Sequence, residues 1–473
     1  METESENLYR GPQQSPAKPK KKRTGATPAR RFAVETNALV RERRAFAHEV
    51  LESRLKKSKL SKEDKAFAQV LVLGVAATWG TLDEIINMTL HSPSDIEDDV
   101  RDALRISAYE ILFLGKEDHA AVDQGVELAK YVAPRTGGLA NATLRRVVKL
   151  KASFPFGDPK TDVSALARLF GFPRWLAVRL IKDLGASDAV ALMKASNEQA
   201  PLFVAVNSVK ATDKEIVALF ADCGVEAAPQ MADGVAVPGC YFIPNGKILL
   251  DGRISHALAQ GKILVSDLSA QRIAQIALPA EKPARFLEIG AGRGTKTILL
   301  QSDAQRKYGS QMNHVTVDNY AFKARLLKER AVKYGIEVDD AAVYDATTLS
   351  REEFPEGFDA VFIDAPCSGL GTLRRHPEIR WRLSEKGIED LAQTGLAMLK
   401  AAAGLVNPGG QLTYSTCTVT KRENTDVVLE FLKSQEGAAF KLQAIDGHAS
   451  FTTNVNSGSA DGHFAVCLVR GKE

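Results

Sequence analysis

Cys367 and Cys417 each close a short apolar stretch, in Ile363-Asp364-Ala365-Pro366-Cys367-Ser368-Gly369 and in Tyr414-Ser415-Thr416-Cys417. The residues ahead of them, 358–363 and 410–414, have strand-like composition and are bounded by Gly or Pro. Both thiols are therefore expected just past the carboxyl ends of strands, where the loops of an open parallel sheet converge on a ligand crevice. A free Cys is commonly a small buried hydrophobe. Two of them, each ending a strand and flanked by Asp, Ser or Thr, point to chemistry instead.

A third run belongs with them. Arg285-Phe-Leu-Glu288-Ile289 reads as a strand and leads into Gly290-Ala291-Gly292-Arg293-Gly294-Thr295-Lys296-Thr297, then the helix start Ile298-Leu-Leu300. Glycines after a strand let the backbone turn tightly and approach a ligand at a helix amino terminus. The spacing is not the GxGxxG of dinucleotide binders, and no lysine stands where a P-loop requires one. Acids follow at the expected strand ends: Asp318 after His314-Val-Thr-Val, Asp345 after Ala341-Ala-Val-Tyr344, and Asp364. A carboxylate at 318 can accept both hydroxyls of a ribose, and one at 345 can hold a nucleobase amine. A nucleoside cofactor without a pyrophosphate fits this series, and S-adenosylmethionine is the commonest.

Such a cofactor beside two thiols narrows the reaction. Carbon 5 of a pyrimidine is too weak a nucleophile to attack a methyl sulfonium directly. A thiolate that adds to carbon 6 creates an enamine that can, splitting one hard step into two. Asp364 is placed to hold ring nitrogen 3 during the addition. A base must then remove the proton on carbon 5, so two cysteines have two jobs.

The totals frame these elements. At 473 residues with 45% apolar and 25% charged content, the chain suggests a globular protein of two to four domains. The opening Met-Glu-Thr-Glu-Ser-Glu is unlike a signal peptide, and the apolar run around 67–77 is far short of the ~18 residues of a membrane span. A cytoplasmic protein without a membrane partner is expected. The five cysteines, which include Cys223, Cys240 and Cys467, are odd in number and lack CxxC spacing; reduced thiols, and no metal site, are expected. Residues 1–31 hold eight Lys or Arg against three Glu, so the remainder carries one net negative charge within the total of +4. That basic arm, with Lys18, Lys20, Lys21, Lys22, Arg23, Arg30 and Arg31 among Pro, Gly and Ala, suits either a polyanion contact or a solvated tail.

Four segments are expected: a disordered basic tail over 1–34, a helical bundle over 35–154, linker helices with a small α+β lobe over 155–267, and the catalytic domain over 268–473. Ser61-Lys-Glu-Asp64 reads as a helix start, and Val100, Leu104 and Ala108 keep one helix face. Lys130, Arg135, Arg145, Arg146, Lys149 and Lys151 gather as a surface suited to phosphates. In the lobe, 201–207 reads as a strand, 213–220 as a helix, and 235–243 and 248–250 as further strands. After the Pro-Cys run, Arg374, Arg375, Arg380 and Arg382 alternate with His376 and Trp381, a composition suited to phosphates and to stacking on unpaired RNA bases.

Two resemblances follow. Arg101-Asp-Ala-Leu-Arg-Ile-Ser-Ala-Tyr-Glu110, His119-Ala-Ala-Val-Asp123 and Asn141-Ala-Thr-Leu-Arg-Arg146 resemble the NusB-type RNA-binding helical domain. Asp364-Ala-Pro-Cys-Ser-Gly-Leu-Gly-Thr-Leu-Arg-Arg-His-Pro377, Asn407-Pro-Gly-Gly-Gln-Leu-Thr-Tyr-Ser-Thr-Cys417 and Glu423-Asn424 resemble the Sun (Fmu-type) RNA (cytosine-5) methyltransferases, whose small-subunit rRNA enzymes also carry a NusB-like domain in front. The resemblance implies a doubly wound, Rossmann-like α/β methyltransferase domain behind an α+β lobe and an all-α bundle. It also implies Cys417 as nucleophile, Cys367 in product release, and Glu288, residues 290–296, Asp318, Asp345 and Asp364 lining the cofactor and base sites. The sequence departs from the family at Arg293 and Thr295 in the cofactor turn, at Ala205, and at His463, where Phe is usual. His463 reads as a structural aromatic replacement. The expected activity is methylation of cytosine carbon 5 in RNA, most similar to 16S rRNA methylation, by a monomer. The alternatives are a tRNA or DNA cytosine-5 enzyme, or an RNA-binding factor with a vestigial enzyme domain.

Overall fold

The computed structural model describes residues 25–472 except Asn454 and Ser457. Residues 1–24, with most of the basic arm, lie outside that range. Six helices come first: α1 (Pro28–Arg43), α2 (Ala47–Lys57), α3 (Lys62–Thr89), α4 (Asp98–Leu112), α5 (Asp118–Val132) and α6 (Gly137–Lys151). Proline at the first turn starts α1, and the Ser61 hydroxyl caps α3 by accepting from the Asp64 amide at 3.1 Å. Helix α1 begins inside the stretch expected to be a tail. Arg30 lies on it and forms a two-pronged pair with the buried Glu110 carboxylate, at 2.6 and 2.8 Å. Among the described residues α3 alone is long and apolar enough by composition to cross a membrane. It buries Leu71, Val72, Val75, Leu82, Ile85 and Ile86 at the centre of the bundle.

Three short helices follow, α7 (Val163–Phe170), α8 (Arg174–Leu184) and α9 (Ala186–Ala195). They precede a four-stranded antiparallel sheet of β1 (Phe203–Val206), β2 (Ala228–Ala232), β3 (Val235–Phe242) and β4 (Ile263–Val265), ordered β2-β3-β1-β4. Helices α10 (Asp213–Asp222) and α11 (Gly252–Ala259) pack on it around Phe220 and Ile254. Ile248 to Leu250, expected as a strand, form a short 3₁₀ turn instead. Asn245 starts that turn by accepting from the Lys247 amide at 3.1 Å, which commits the backbone to a helical bend.

The last region opens with α12 (Leu268–Ile276), capped by Asp267. It continues as β5 (Phe286–Ile289), α13 (Thr295–Tyr308), β6 (His314–Asp318), α14 (Ala321–Tyr334), β7 (Asp340–Val343), β8 (Phe358–Asp364), α15 (Ile379–Arg382), α16 (Glu385–Leu405), β9 (Val406–Thr416), α17 (Thr425–Leu432), β10 (Phe440–Gln443), β11 (Phe451–Thr452) and β12 (Phe464–Arg470). The sheet runs β10-β12-β9-β8-β5-β6-β7, with β5 to β9 parallel and β12 antiparallel to β9. Alternate residues face opposite ways. Phe286, Phe362 and Cys467 pack on one side with Ile273 of α12 and Ile298 of α13, while Leu287, Val361, Leu412 and Val466 pack on the other with Leu399 of α16 and Phe431 of α17. Helices thus cover both faces, as the doubly wound reading expects, and the parallel strands release their loops at one edge.

Candidate active site

The two cysteines meet at that edge. β8 and β9 are neighbours in register, Asp364 opposite Ser415, so the loops leaving them start side by side. The Sγ atoms of Cys367 and Cys417 are 3.3 Å apart, and the Cys417 amide points at the Cys367 sulfur at 3.3 Å. Cys367 and Cys417 are each intermediate in burial as residues. The Lys296 Nζ reaches across from the first turn of α13 to the Asp364 carboxylate at 2.7 Å. Burial works against the Lys296 ammonium, but Asp364 and the sulfurs hold its pKa above the ordinary lysine value.

The pair titrates as a unit. The hydrogen bond between the sulfurs, more than burial, raises Cys367 well above the usual thiol value. The same hydrogen bond lowers Cys417, and the nearby Lys296 charge adds to this against the opposing effect of burial. The surroundings thus favour the thiolate at Cys417 and the neutral thiol at Cys367.

Glu423 fixes the two loops to one another, a role the sequence reading missed although Glu423-Asn424 was part of the resemblance. Its buried carboxylate accepts from the Ser368 amide at 2.6 Å, the Ser368 hydroxyl at 2.7 Å and the Thr420 hydroxyl at 2.6 Å. Asn424 accepts from Thr416 at 2.6 Å and donates to the Thr418 carbonyl at 3.1 Å. The alternation of hydroxyl residues in Thr416-Cys-Thr418-Val-Thr420 was the available signal. A second clamp is backbone on backbone. The Gly371 amide donates to the Cys417 carbonyl at 3.0 Å, and the Gly462 amide to the Gly371 carbonyl at 2.9 Å. A Cβ on Gly371 would come within 1.8 Å of the Gly462 oxygen, so no side chain fits.

The glycine turn forms an open cradle between β5 and α13. Gly290, Gly292 and Gly294 all have positive φ, at 84°, 58° and 79°, and a Cβ at Gly290 would strike the Asp364 carbonyl at 2.3 Å. Asp318, at the end of β6, accepts from the Gly292 amide at 3.0 Å and the Tyr320 amide at 3.1 Å. Ala291 is buried beneath the turn. Thr295 accepts from Arg330 at 3.0 Å, and Arg293 points out of the turn to Glu49 on α2 at 3.1 Å. Asp345 is exposed just past β7 and binds its own turn through the Thr347 amide and hydroxyl at 2.9 and 2.7 Å. Glu288 is the exception to the expected set. Its carboxylate is fully buried, 3.2 Å from His314 Nε2 on β6, so it does not line the cradle. Residue 288 points into the helix layer because its neighbours Leu287 and Ile289 point the other way.

His463 immediately precedes Phe464, the ladder partner of Thr416, and so stands opposite Cys417. Its ring is buried, with Nδ1 3.4 Å from the Asp461 carbonyl. Burial first, then the Lys296 charge, push its pKa down to about 4.

Most side chains of the Arg-rich segment after the Pro-Cys run are engaged inside the fold. The Arg380 side chain is fully buried, stacked 4.0 Å over Phe172 and donating to the Phe170 and Gly171 carbonyls at 3.2 Å each and to Asn197 at 3.0 Å. Arg374 donates to the Ser459 and Ala460 carbonyls, and Arg375 pairs with Asp461 at 2.6 Å and Asp267 at 3.1 Å. Trp381 donates to the Ala77 carbonyl of α3 at 2.9 Å, and Arg382 to the Arg44 and Ala45 carbonyls. His376 packs against Phe46 with ring centroids 4.5 Å apart. The segment is a hub joining the bundle, the linker helices and the catalytic sheet. The supposed phosphate surface on α6 is also partly engaged, with Arg146 donating to the Thr89 carbonyl at 2.6 Å and Lys151 paired with Asp118 at 2.8 Å.

Comparison with known proteins accounts for this architecture. A putative methyltransferase of Mycobacterium tuberculosis is 30% identical over 424 residues, spanning 86% of this chain and 87% of the relative. The 16S rRNA methyltransferase RsmB/F family pattern matches residues 275–463. This chain belongs to that family. The family's other parts are present in order, with a NusB family match over 27–149 and an RsmF/B-like ferredoxin-like domain over 172–239. A probable ribosomal RNA small subunit methyltransferase B of Bacillus subtilis is 27% identical over 418 residues, covering 86% of this chain and 88% of that one. The solved structure of PH0851 shares the fold with a TM-score of 0.75 over 94% of this chain at 22% identity. That of NSun6 from Pyrococcus horikoshii with SFG has a TM-score of 0.51 over 64% of this chain at 17% identity. Membership in the RsmB/F family supports an RNA methyltransferase activity.

Proposed function

We propose that this protein transfers a methyl group from S-adenosylmethionine to carbon 5 of a cytosine in 16S rRNA through a transient bond between Cys417 and the base. What carries the reading is the 3.3 Å approach of two thiols beside the Lys296–Asp364 pair. The cofactor's chemical contribution is an electrophilic methyl group on a sulfonium. The turn at Gly290 to Gly294 suits such a molecule, because its positive-φ glycines bring bare backbone close to Asp318, and the Asp318 carboxylate, which holds the turn and pairs with Lys323, would accept a ribose hydroxyl in place of that lysine.

The target cytosine enters with its ring flipped out of any stack. Cys417, the thiolate of the pair, attacks carbon 6 while Asp364 and Lys296 accompany the charge that develops on the ring. Carbon 5 is then nucleophilic and takes the methyl group. Cys367, freed from its hydrogen bond to Cys417 and held near the base by the Glu423 clamp, loses its own proton to water and then, as a thiolate, removes the carbon 5 proton. Loss of that proton expels the Cys417 sulfur and restores the aromatic ring. The 16S assignment draws on the family and on relatives named small subunit methyltransferases.

The deciding experiment mixes Cys367→Ala with cellular RNA and the cofactor. A protein–RNA adduct that survives denaturant is expected, absent from Cys417→Ala, with 16S rRNA in the trapped fraction. An adduct formed by Cys417→Ala and not by Cys367→Ala would reverse the two roles, and trapped tRNA would redirect the substrate.

A further inference from the structure

We propose that Cys367 and Cys417 form a peroxide-driven, reversible disulfide that switches the enzyme off. The regulatory half rests on Cys417 being the nucleophile; the cross-link itself does not. A disulfide holds its sulfurs about 2.05 Å apart and its Cα atoms about 4.4–6.8 Å apart. The sulfurs start at 3.3 Å, and their loops leave adjacent strands, paired at Asp364 and Ser415, whose backbones run about 4.8 Å apart. Closure therefore asks for side-chain rotation, not for moving the sheet. The Glu423 clamp keeps the loops together in the reduced protein, so the cross-link replaces a contact already made.

The remaining cysteines mark the contrast. Cys240 and Cys467 are buried, and burial raises both thiols, to about 11 at Cys467. Cys223 lies 3.7 Å from the Asp251 carboxylate and has no second sulfur near it. Among the described cysteines, the active-site pair alone combines intermediate burial, a thiolate-favouring neighbour in Lys296 and a second thiol in contact.

The chemistry balances with a hydroperoxide as oxidant. The Cys417 thiolate attacks the terminal peroxide oxygen; the S–O bond forms, the O–O bond breaks, and hydroxide or alkoxide leaves. Cys367 then attacks the sulfenic sulfur, the S–S bond forms, and the hydroxyl group leaves as water with the Cys367 proton. Two thiols lose two electrons and one peroxide is reduced. The disulfide removes the nucleophile and also spares Cys417 from sulfinic acid, which is not readily reversed.

The test treats the RNA-free full-length protein with hydrogen peroxide, then alkylates and digests it without reductant. A Cys367–Cys417 cross-linked peptide is expected, about 2 Da lighter than the two reduced peptides together. Methyl transfer should fall at least tenfold and return with dithiothreitol. Cys367→Ala should instead carry sulfinic or sulfonic acid at Cys417 after the same dose. Wild-type thiols that stay alkylatable, or that reach sulfinic acid without cross-linking, would overturn the disulfide. Cross-linked protein that still transfers methyl groups would overturn the shut-off and, with it, the nucleophilic role of Cys417.

Discussion

The thiol pair makes Cys417 dependent on its neighbours for ionisation. The hydrogen bond from Cys367 lowers its pKa most, and Lys296 helps. Cys367→Ala and Lys296→Met should therefore each move the midpoint of Cys417 alkylation by iodoacetamide to higher pH, as followed by mass spectrometry of the Cys417 peptide. An unshifted midpoint in both variants would mean that Cys417 titrates alone. His463 gives a second prediction, with the opposite interest in protons. Its folded pKa of about 4 lies below the ~6.5 of an unfolded histidine. Between those values the unfolded chain takes up a proton that the native ring refuses, so stability is lost as pH falls from about 6.5 to about 4. Asp461, raised to about 6 mainly by burial and next by Asp267, works the other way as pH falls. The difference between wild type and His463→Phe isolates the histidine: the variant should lose less urea midpoint than wild type on going from pH 7.5 to pH 5.

At the scale of elements, the turn from the Pro-Cys loop into α16 holds several others in place. Arg380 satisfies carbonyls at the end of α7 and an amide just past α9 from a fully buried position. Arg380→Met would retain the volume but leave those acceptors unpaired, at about 1–3 kcal/mol for each group that water does not reach. We expect a loss on the order of 3 kcal/mol in chemical denaturation, with the cofactor turn intact. The Arg293–Glu49 pair between the cofactor turn and α2 is a useful contrast. Both side chains are about half exposed, and Glu49→Ala should change stability by less than about 1 kcal/mol. A larger loss would mean that α2 is held through this contact and not through the hub.

For the whole molecule, docking of the bundle depends on Trp381 lying across Gly80. A Cβ on Gly80 would come within 2.3 Å of the indole, although alanine in mid-helix ordinarily gains about 0.5–1 kcal/mol over glycine. Gly80→Ala should therefore destabilise wild type yet stabilise Trp381→Ala, a reversal of sign readable from thermal midpoints. Such dependence between residues 301 positions apart was not legible in the chain. What was legible is local. Strand ends, glycine turn and acids were readable because Gly, Pro and apolar runs act on their immediate neighbours, and the helical bundle that α2 to α6 build was visible by its spacing. The Arg and Trp residues from 374 to 382 were read as an RNA surface because composition does not distinguish an arginine facing phosphate from one facing carbonyls of a distant helix. Glu288 was misplaced for a related reason: its position beside the turn is sequential, while its partner His314 is set by the pairing of β5 with β6.

The contact of Gly371 with Gly462 also ties the Pro-Cys loop to the segment that leads into β12. The loop bearing one thiol is braced against a segment some ninety residues further along the chain, just ahead of β12, which lies between β9 and β10. The two thiols are thus aligned from two directions, by the pairing of β8 with β9 under the Glu423 clamp and by the backbone brace at Gly462. Loss of β12 would take that brace away from the Pro-Cys loop while leaving the Glu423 clamp in place.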